Sequence, residues 1–142
     1  MESILLDTNV LSELMRSQPE QALMDWFEAH TGDVFYVSVI TRAEILLGIS
    51  LLPTGKRRDA LSAAAEGMFS EDFAGRCIPF DAECAVRYAS IVAGRRSAGQ
   101  AISTEDAMIA AIALTHGYPL ATRNTIDFLH IDGLRLYNPW QD

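Results

Sequence analysis

The chain has 142 residues, 49% of them hydrophobic, and its 19 acidic and 11 basic side chains give a net charge of −8. This length fits one domain over residues 1–142, and the negative charge disfavours non-specific binding to DNA or RNA. No apolar run reaches the ~20 residues that span a bilayer, and Cys77 and Cys84 lack the spacing of a zinc site or a disulfide framework. We therefore expect a soluble, cytoplasmic protein with no membrane contact.

Strand-like and helix-like segments alternate along the chain. Buried strands are predicted at residues 4–6, 34–37 and 120–122, which are short, apolar and flanked by turn residues. Residues 77–80 and 134–137 are further strand candidates. Helices are predicted at residues 19–30, 41–52, 56–70, 81–97 and 104–116. This alternation predicts an α/β layer fold in which helices cover both faces of a mainly parallel sheet.

Asp7, Thr8 and Asn9 directly follow the first predicted strand. Ligands of a parallel sheet gather beyond the carboxyl ends of its strands, so these side chains are candidates for an oxygen-rich site. The alternative is structural, because Asp7 or Asn9 could cap the following helix by accepting hydrogen bonds from its free N–H groups. This junction alone supports both interpretations.

Two more acids lie at strand-to-helix junctions. Glu44 stands three residues after Thr41, which is the spacing of a capping box and by itself a complete structural explanation. Asp106 stands three residues after Ser103, at the start of a helix that is apolar on all sides and therefore predicted to be buried. That position brings Asp106 near the core and the positive end of the helix dipole, although a cap explains it too.

A fourth junction follows the Leu120 strand. Thr122, Asn124 and Asp127 supply hydroxyl, amide and carboxylate groups there, although Asn124 or Thr125 could simply cap a short helix. Independent caps need not converge, whereas a metal site must. Clustered oxygen ligands suit Mg²⁺ or Mn²⁺, which can activate water for attack on a phosphodiester.

A nucleic-acid role needs local compensation for the net negative charge. The candidates are a bound divalent metal and the basic runs at residues 56–58 and 95–96, each of which is also explained as a solvated helix surface. No nucleophile elbow, phosphate loop or dinucleotide-binding turn is present, and the histidines lack metal-ligand spacing.

Taken together, the junctions resemble the PIN-domain family over nearly the whole chain. The matching motifs are Leu5-Leu6-Asp7-Thr8-Asn9, Thr41-Arg42-Ala43-Glu44, Asp106 before its apolar helix, and Thr122-Arg123-Asn124. Within that family the chain is most similar to the VapC toxins of bacterial type II toxin–antitoxin pairs. Asn9-Val10-Leu11-Ser12-Glu13 and the ending Asn138-Pro139-Trp140 resemble their FitB-like branch.

The resemblance implies a five-stranded parallel sheet in an α/β/α sandwich, and a Mg²⁺- or Mn²⁺-dependent endoribonuclease that halts translation by cutting RNA. Asp7 and Asp106 would then be the principal metal ligands. Glu44 would complete the acidic triad, directly or through water, and Thr8 and Asn9 would support the ligands by hydrogen bonding.

The chain departs from the family pattern at one position, and the resemblance also implies several partners. The family often has a fourth acid where this chain has Asn124, so either Asp127 substitutes for it or the second metal site is weak or absent. The implied partner is a small antitoxin with a DNA-binding domain and a tail that blocks the active site. Contact with operator DNA would occur only through that antitoxin, and a homodimer is expected.

Two other functions remain open. A haloacid-dehalogenase-like phosphatase also places an Asp after its first strand, but its motif needs a second Asp where this chain has Asn9, and a late lysine where the only lysine is Lys56. The other is a non-catalytic partner in a DNA-binding regulatory complex. Its acidic pocket would chiefly receive an arginine, which pairs well with carboxylates.

Overall fold

A five-stranded sheet forms the centre of the computed structural model, which describes residues 1–142. Its strands are β1 (Ser3–Leu6), β2 (Val34–Ser38), β3 (Cys77–Ile78), β4 (Leu120–Ala121) and β5 (Leu136–Tyr137). The order across the sheet is β3-β2-β1-β4-β5, and every neighbouring pair is parallel. All five predicted strands are confirmed, and the carboxyl ends of β1, β2 and β4 meet at one edge.

Six α-helices accompany the sheet. They are α1 (Thr8–Leu14), α2 (Gln21–Ala29), α3 (Val39–Ser50), α4 (Lys56–Gly67), α5 (Ala82–Ser97) and α6 (Thr104–His116). A π-helical turn, Met68–Asp72, continues α4, and a 3-10 turn, Thr125–Phe128, follows β4. Five helices match predicted ones, whereas α1 has only seven residues and is too short to show a helical period. None of the helices has both the length and the apolar character needed to cross a membrane.

Both faces of the sheet are buried, as the α/β layer prediction requires. Side chains alternate along β1, so Ile4 and Leu6 enter one hydrophobic cluster and Leu5 enters the other. The second cluster contains residues 109–113 of α6, all fully buried. Each fully buried Leu or Ile stabilises the fold by about 1.5–3 kcal/mol. The end of β1 is therefore held rigidly between two packed layers.

Candidate functional site

Asp7 ends β1 and is also the N-cap of α1. One carboxylate oxygen accepts a hydrogen bond from the N–H of Thr8 at 2.8 Å. The other accepts a hydrogen bond from Thr122 Oγ1 at 2.8 Å and lies 3.3 Å from Asn9 Nδ2. The residue is only 4% exposed. The two interpretations of Asp7 are therefore compatible, because the same carboxylate caps a helix and lines the site.

The environment of Asp7 makes its carboxyl a weaker acid than that of an ordinary Asp. Burial raises its pKa to about 6, although the hydrogen bonds from Thr122 and from the Thr8 backbone oppose that shift. The nearby carboxylates of Asp106 and Glu44 raise the pKa further, but less than burial does. Desolvation, more than like-charge crowding, therefore determines the pKa of this acid.

Glu44 reaches the same region from α3. The helix begins at Val39, and its N-cap is Ser38, whose Oγ accepts a hydrogen bond from the N–H of Thr41 at 3.1 Å. The predicted capping box of Thr41 and Glu44 is therefore wrong, because Thr41 already lies inside the helix. Glu44 Oε1 instead accepts a hydrogen bond from Thr8 Oγ1 at 2.7 Å, and that hydroxyl lies 2.9 Å from Thr41 Oγ1.

Asp106 lies in the first turn of α6, where Ser103 is the N-cap. Ser103 Oγ accepts a hydrogen bond from the N–H of Asp106 at 3.1 Å. The Asp106 side chain is half-buried, and desolvation raises its pKa against the lowering effect of Ser103. The charges of Asp127, Glu44 and Glu105 raise the pKa further. The negative charges of three chain segments thus act on one carboxyl group.

Short polar contacts bind the loop after β4 to α1. Thr122 is fully buried, and its Oγ1 accepts a hydrogen bond from the N–H of Asn124 at 3.1 Å while donating to Asp7. Asn9 Nδ2 lies 3.2 Å from the same hydroxyl, and Asn9 Oδ1 accepts a hydrogen bond from the N–H of Arg123 at 3.2 Å. These contacts place two of the predicted supporting residues directly against Asp7.

The three predicted acids line one polar cavity of about 430 Å³. No hydrophobic residue lines it. The full lining consists of Asp7, Thr8, Asn9, Ser12, Glu13, Arg16, Glu44, Asp106 and Asn124. Asp127 is outside this lining, exposed on the 3-10 turn, and influences the cavity only through its charge.

Three lining residues, Ser12, Glu13 and Arg16, were not predicted as site residues, because the helix expected after Asp7 was given no bounds. A signal for Ser12 exists in the sequence. Ser12 stands four positions after Thr8, which places both side chains along one side of the helix that starts at the capping Asp7, whereas Arg16 lies beyond Leu14, where α1 ends.

The donor groups of the cavity meet some of the requirements of a metal ion. No three His, Cys, Asp or Glu side chains lie close enough together to hold an ion by themselves. The carboxylates, hydroxyls and amides of the lining nevertheless offer the oxygen atoms that Mg²⁺ prefers. Mg²⁺ usually binds through one or two carboxylates together with water and phosphate oxygens. The cavity therefore fits a divalent ion that is held by few protein ligands.

Comparison with known proteins shows similarity over the full fold. The PIN domain model matches residues 4–134. The chain is 46% identical over 138 residues to plasmid stability protein StbB of Pseudomonas syringae pv. tomato, which covers 97% of this chain and 99% of that protein. It is 40% identical over 138 residues to a VapC ribonuclease of Sinorhizobium fredii, covering 97% and 98%.

Similarity to a toxin extends from sequence to structure. Toxin FitB of Neisseria gonorrhoeae is 40% identical over 139 residues, covering 98% of this chain and 99% of that protein. The crystal structure of FitAcB from the same organism superposes with a TM-score of 0.86 at 38% identity, covering 98% and 99%. The structure of FitAB bound to a DNA fragment gives the same TM-score and identity, covering 98% and 96%.

Proposed function

The chain belongs to the PIN-domain family, as its sequence motifs predicted, and we propose that it is the toxin of a type II toxin–antitoxin pair. Its activity would be metal-dependent endoribonuclease cleavage of RNA phosphodiester bonds. The relatives named VapC ribonuclease and toxin FitB support this function. The observation that carries the proposal is the convergence of Asp7, Glu44 and Asp106 on one cavity lined only by polar side chains.

Asp7 and Asp106 would hold a Mg²⁺ or Mn²⁺ ion, with Glu44 acting through water. A bound ion would supply a deprotonated water for in-line attack and stabilise charge on the phosphate. The protein's own hydrogen bonds prepare this arrangement. Thr8 N–H and Thr122 Oγ1 each hold one oxygen of Asp7, which fixes the plane of that carboxylate, and Thr8 Oγ1 fixes Glu44.

Asn124 bears on the number of ions. It lines the cavity at the position where the PIN resemblance places a fourth acid, but its amide adds no negative charge. Asp127 stands outside the lining. We therefore favour one well-held ion, with a second site that is weak or absent.

The proposed partner is an antitoxin that carries a DNA-binding domain. An apolar groove of about 690 Å³ adjoins the acidic cavity, and the two share Thr8, Ser12, Arg16 and Glu44. Ile45 and Ile49 contribute to the apolar part of the groove. An antitoxin tail lying there would reach the carboxylates with a basic side chain and block them. We expect the toxin to form a homodimer in the cytoplasm. It would contact operator DNA only through this antitoxin.

A cleavage assay tests the proposal. Purified, partner-free protein is incubated with structured RNA and Mg²⁺ or Mn²⁺, beside Asp7→Asn and Asp106→Asn variants. Wild type is expected to cut, and each variant to lose at least about 100-fold in rate, since losing even a supporting contact of a metal site costs 10–100-fold. Asp59→Asn is the matched control, because Asp59 is an exposed acid in the first turn of α4, away from the cavity.

Two results would refute different parts of the proposal. Equal cleavage by wild type, Asp7→Asn and Asp106→Asn would exclude the acid site. If wild type cuts no RNA with any metal, but binds operator DNA together with its partner, the protein is a regulatory subunit and not a ribonuclease.

A further inference from the structure

Two arginines stand at the rim of the acidic cavity, and the proposed chemistry gives neither a role. Arg16 is the only basic residue in the lining. Arg123 follows Thr122 at the same edge of the sheet, and its N–H is bonded to Asn9. We propose that Arg16 and Arg123 bind phosphate groups of single-stranded RNA beside the scissile bond. This inference rests on the proposed function and names the residues that position its substrate.

A continuous chain of contacts joins the two arginines. Arg16 Nη1 lies 3.3 Å from Glu13 Oε1, and the Glu13 carboxylate accepts a hydrogen bond from the N–H of Glu20 at 2.9 Å. Glu20 Oε1 lies 3.4 Å from Arg123 Nη1. The charge of Arg123 also contributes to lowering the pKa of Glu13, after the hydrogen bonds that Glu13 accepts. We call Arg16 and Arg123 the cationic rim, and Glu13 and Glu20 link them.

The cavity itself would repel RNA. Its lining holds four carboxylates against the single guanidinium of Arg16, and the whole chain carries a charge of −8. A metal ion would offset the acids at the scissile phosphate. The neighbouring phosphates still need cations, because contacts from Lys and Arg supply much of the affinity of proteins for nucleic acids.

The rim arginines retain donors for a phosphate. Their contacts with glutamate, at 3.3 and 3.4 Å, are longer than the 2.7–2.9 Å of a strong charge-assisted bond. Each guanidinium uses only Nη1 in these contacts, although it has five N–H donors. The side chains of Arg16 and Arg123 are 63% and 53% exposed. The glutamates thus hold the arginines in place without saturating them.

The end of the chain supports Arg123. Its guanidinium carbon lies 4.9 Å from the centre of the Trp140 ring, a cation–π contact. Asn138 Nδ2 lies 3.5 Å from the Arg123 carbonyl, and Asn138 Oδ1 accepts a hydrogen bond from the N–H of Trp140 at 3.0 Å. The Asn138-Pro139-Trp140 ending therefore forms a platform beneath the arginine, which reduces the entropy lost when Arg123 binds a phosphate.

The basic runs at residues 56–58 and 95–96 are poorer candidates for binding the neighbouring phosphates. Arg95 is only 8% exposed, and its Nη2 donates to the backbone carbonyls of Asp127 and Leu129, so its role is structural. Arg57 lines the apolar groove and not the acidic cavity. By contrast, Arg16 contacts Glu13 and Arg123 contacts Asn9, both in α1, the helix that Asp7 caps.

Salt-dependent binding tests the inference without requiring cleavage. A fluorescent, short 2′-O-methyl RNA is titrated with the protein in Ca²⁺, a hard divalent ion that offsets the acids of the cavity, and its association constant is measured by anisotropy between about 50 and 200 mM KCl. Each contact with a single-strand phosphate contributes about 0.7 to the slope of log K against log salt. Arg16→Gln and Arg123→Gln should each reduce the slope by about 0.7, and weaken binding about 5-fold near 0.1 M salt.

Two variants serve as controls. Arg135 is 63% exposed, like Arg16, and pairs with Glu2 at 2.9 Å before β5 and β1, at the opposite end of the sheet. Arg135→Gln removes the same charge and should leave the slope unchanged. Arg123→Lys keeps the charge and should retain most of the slope. Thermal melting of each variant checks that the fold is intact.

Slopes for Arg16→Gln and Arg123→Gln equal to the wild-type slope would overturn the inference. Failure of wild type to bind the RNA would also overturn it, and would leave the proposed ribonuclease standing if cleavage is observed. RNA binding with the expected slopes, but without cleavage under any metal condition, would support the cationic rim and refute the catalytic proposal instead.

Discussion

The hydroxyl of Thr122 donates a 2.8 Å hydrogen bond to the carboxylate of Asp7, across 115 positions of the sequence. This bond joins the ends of β1 and β4, the two strands that meet at the centre of the site edge. It is also the largest of the effects that lower the pKa of Asp7, against the larger opposing effect of burial. One hydroxyl thus both orients the acid and keeps its pKa below neutral pH.

Replacing that hydroxyl should shift the pH dependence of cleavage. Thr122→Val keeps the shape of the side chain but removes the donor, so the pKa of Asp7 should rise above its value of about 6. The acidic limb of the pH–rate profile should move to higher pH, and the fold should lose about 1.5–3 kcal/mol at neutral pH, the usual contribution of a hydrogen bond to a charged group. Thr122→Ser, which retains the hydroxyl, should behave like wild type. An unmoved acidic limb in Thr122→Val would contradict this role.

Removing the charge of Asp7 should stabilise the metal-free protein. Its pKa is raised from 3.8 to about 6 on folding, so the folded state binds more protons than the unfolded state between these values. Stability therefore falls as pH rises through that window, and the loss is complete above it. A shift of about two units corresponds to about 3 kcal/mol. In EDTA near pH 7.5, the free energy of unfolding of Asp7→Asn should therefore exceed that of wild type by up to this amount. Its melting temperature should be correspondingly higher.

The pH dependence of this gain separates it from a general effect of the substitution. The difference between Asp7→Asn and wild type should shrink towards pH 4.5, where the wild-type carboxyl becomes neutral. Asp59→Asn, an exposed site, should show no comparable gain at any pH. A destabilised Asp7→Asn at pH 7.5 would show that burial penalises this carboxylate less than its raised pKa indicates.

A divalent ion should reverse the instability that the acids create. An ion that binds only the folded state stabilises it by about 2.7 kcal/mol when present at 100 times its Kd. Titration with Mg²⁺ or Mn²⁺ should therefore raise the melting temperature of wild type progressively. Asp7→Asn and Asp106→Asn should show a much smaller rise. An equal rise in all three proteins would place the ion elsewhere.

How far the site could be predicted differs between its parts. The position of Asp7 follows from a general property of parallel sheets, whose strand ends share one edge, so local sequence was enough to predict it. Asp106 was expected at a strand-to-helix junction too, but α6 follows the helix α5 and no strand, so its place at this edge depends on how α6 packs. Glu44 was also predicted at this edge, but the predicted capping box was wrong. The Thr41 spacing matched a capping box, whereas Ser38 begins the helix earlier and leaves Glu44 free to accept a bond from Thr8.

The parts of the site that could not be predicted depend on short elements and on contacts between residues that are far apart in the sequence. The seven residues of α1 carry no full hydrophobic period, so Glu13 and Arg16 could not be assigned to the site from pattern alone. The pairing of Arg123 with Trp140 joins residues that the sequence gives no reason to bring together. The turn after β4 is a 3-10 turn, and its exposed Asp127 stands outside the cavity that Asn124 lines.

That difference between Asn124 and Asp127 gives the last prediction. Asn124→Asp adds a carboxylate to a cavity that already holds Asp7 and Asp106, so the metal concentration for half-maximal cleavage should fall at least about tenfold, the lower end of what a contact at a metal site contributes. Asp127→Asn removes an exposed charge and should change that concentration by less than about fivefold, because exposed charges contribute no more than about 1 kcal/mol. The measurement is the initial cleavage rate across a Mn²⁺ titration. If Asp127→Asn instead impairs metal use as severely as Asp106→Asn, then the outer acid replaces the missing fourth carboxylate, and the 3-10 turn must move towards the cavity when metal binds.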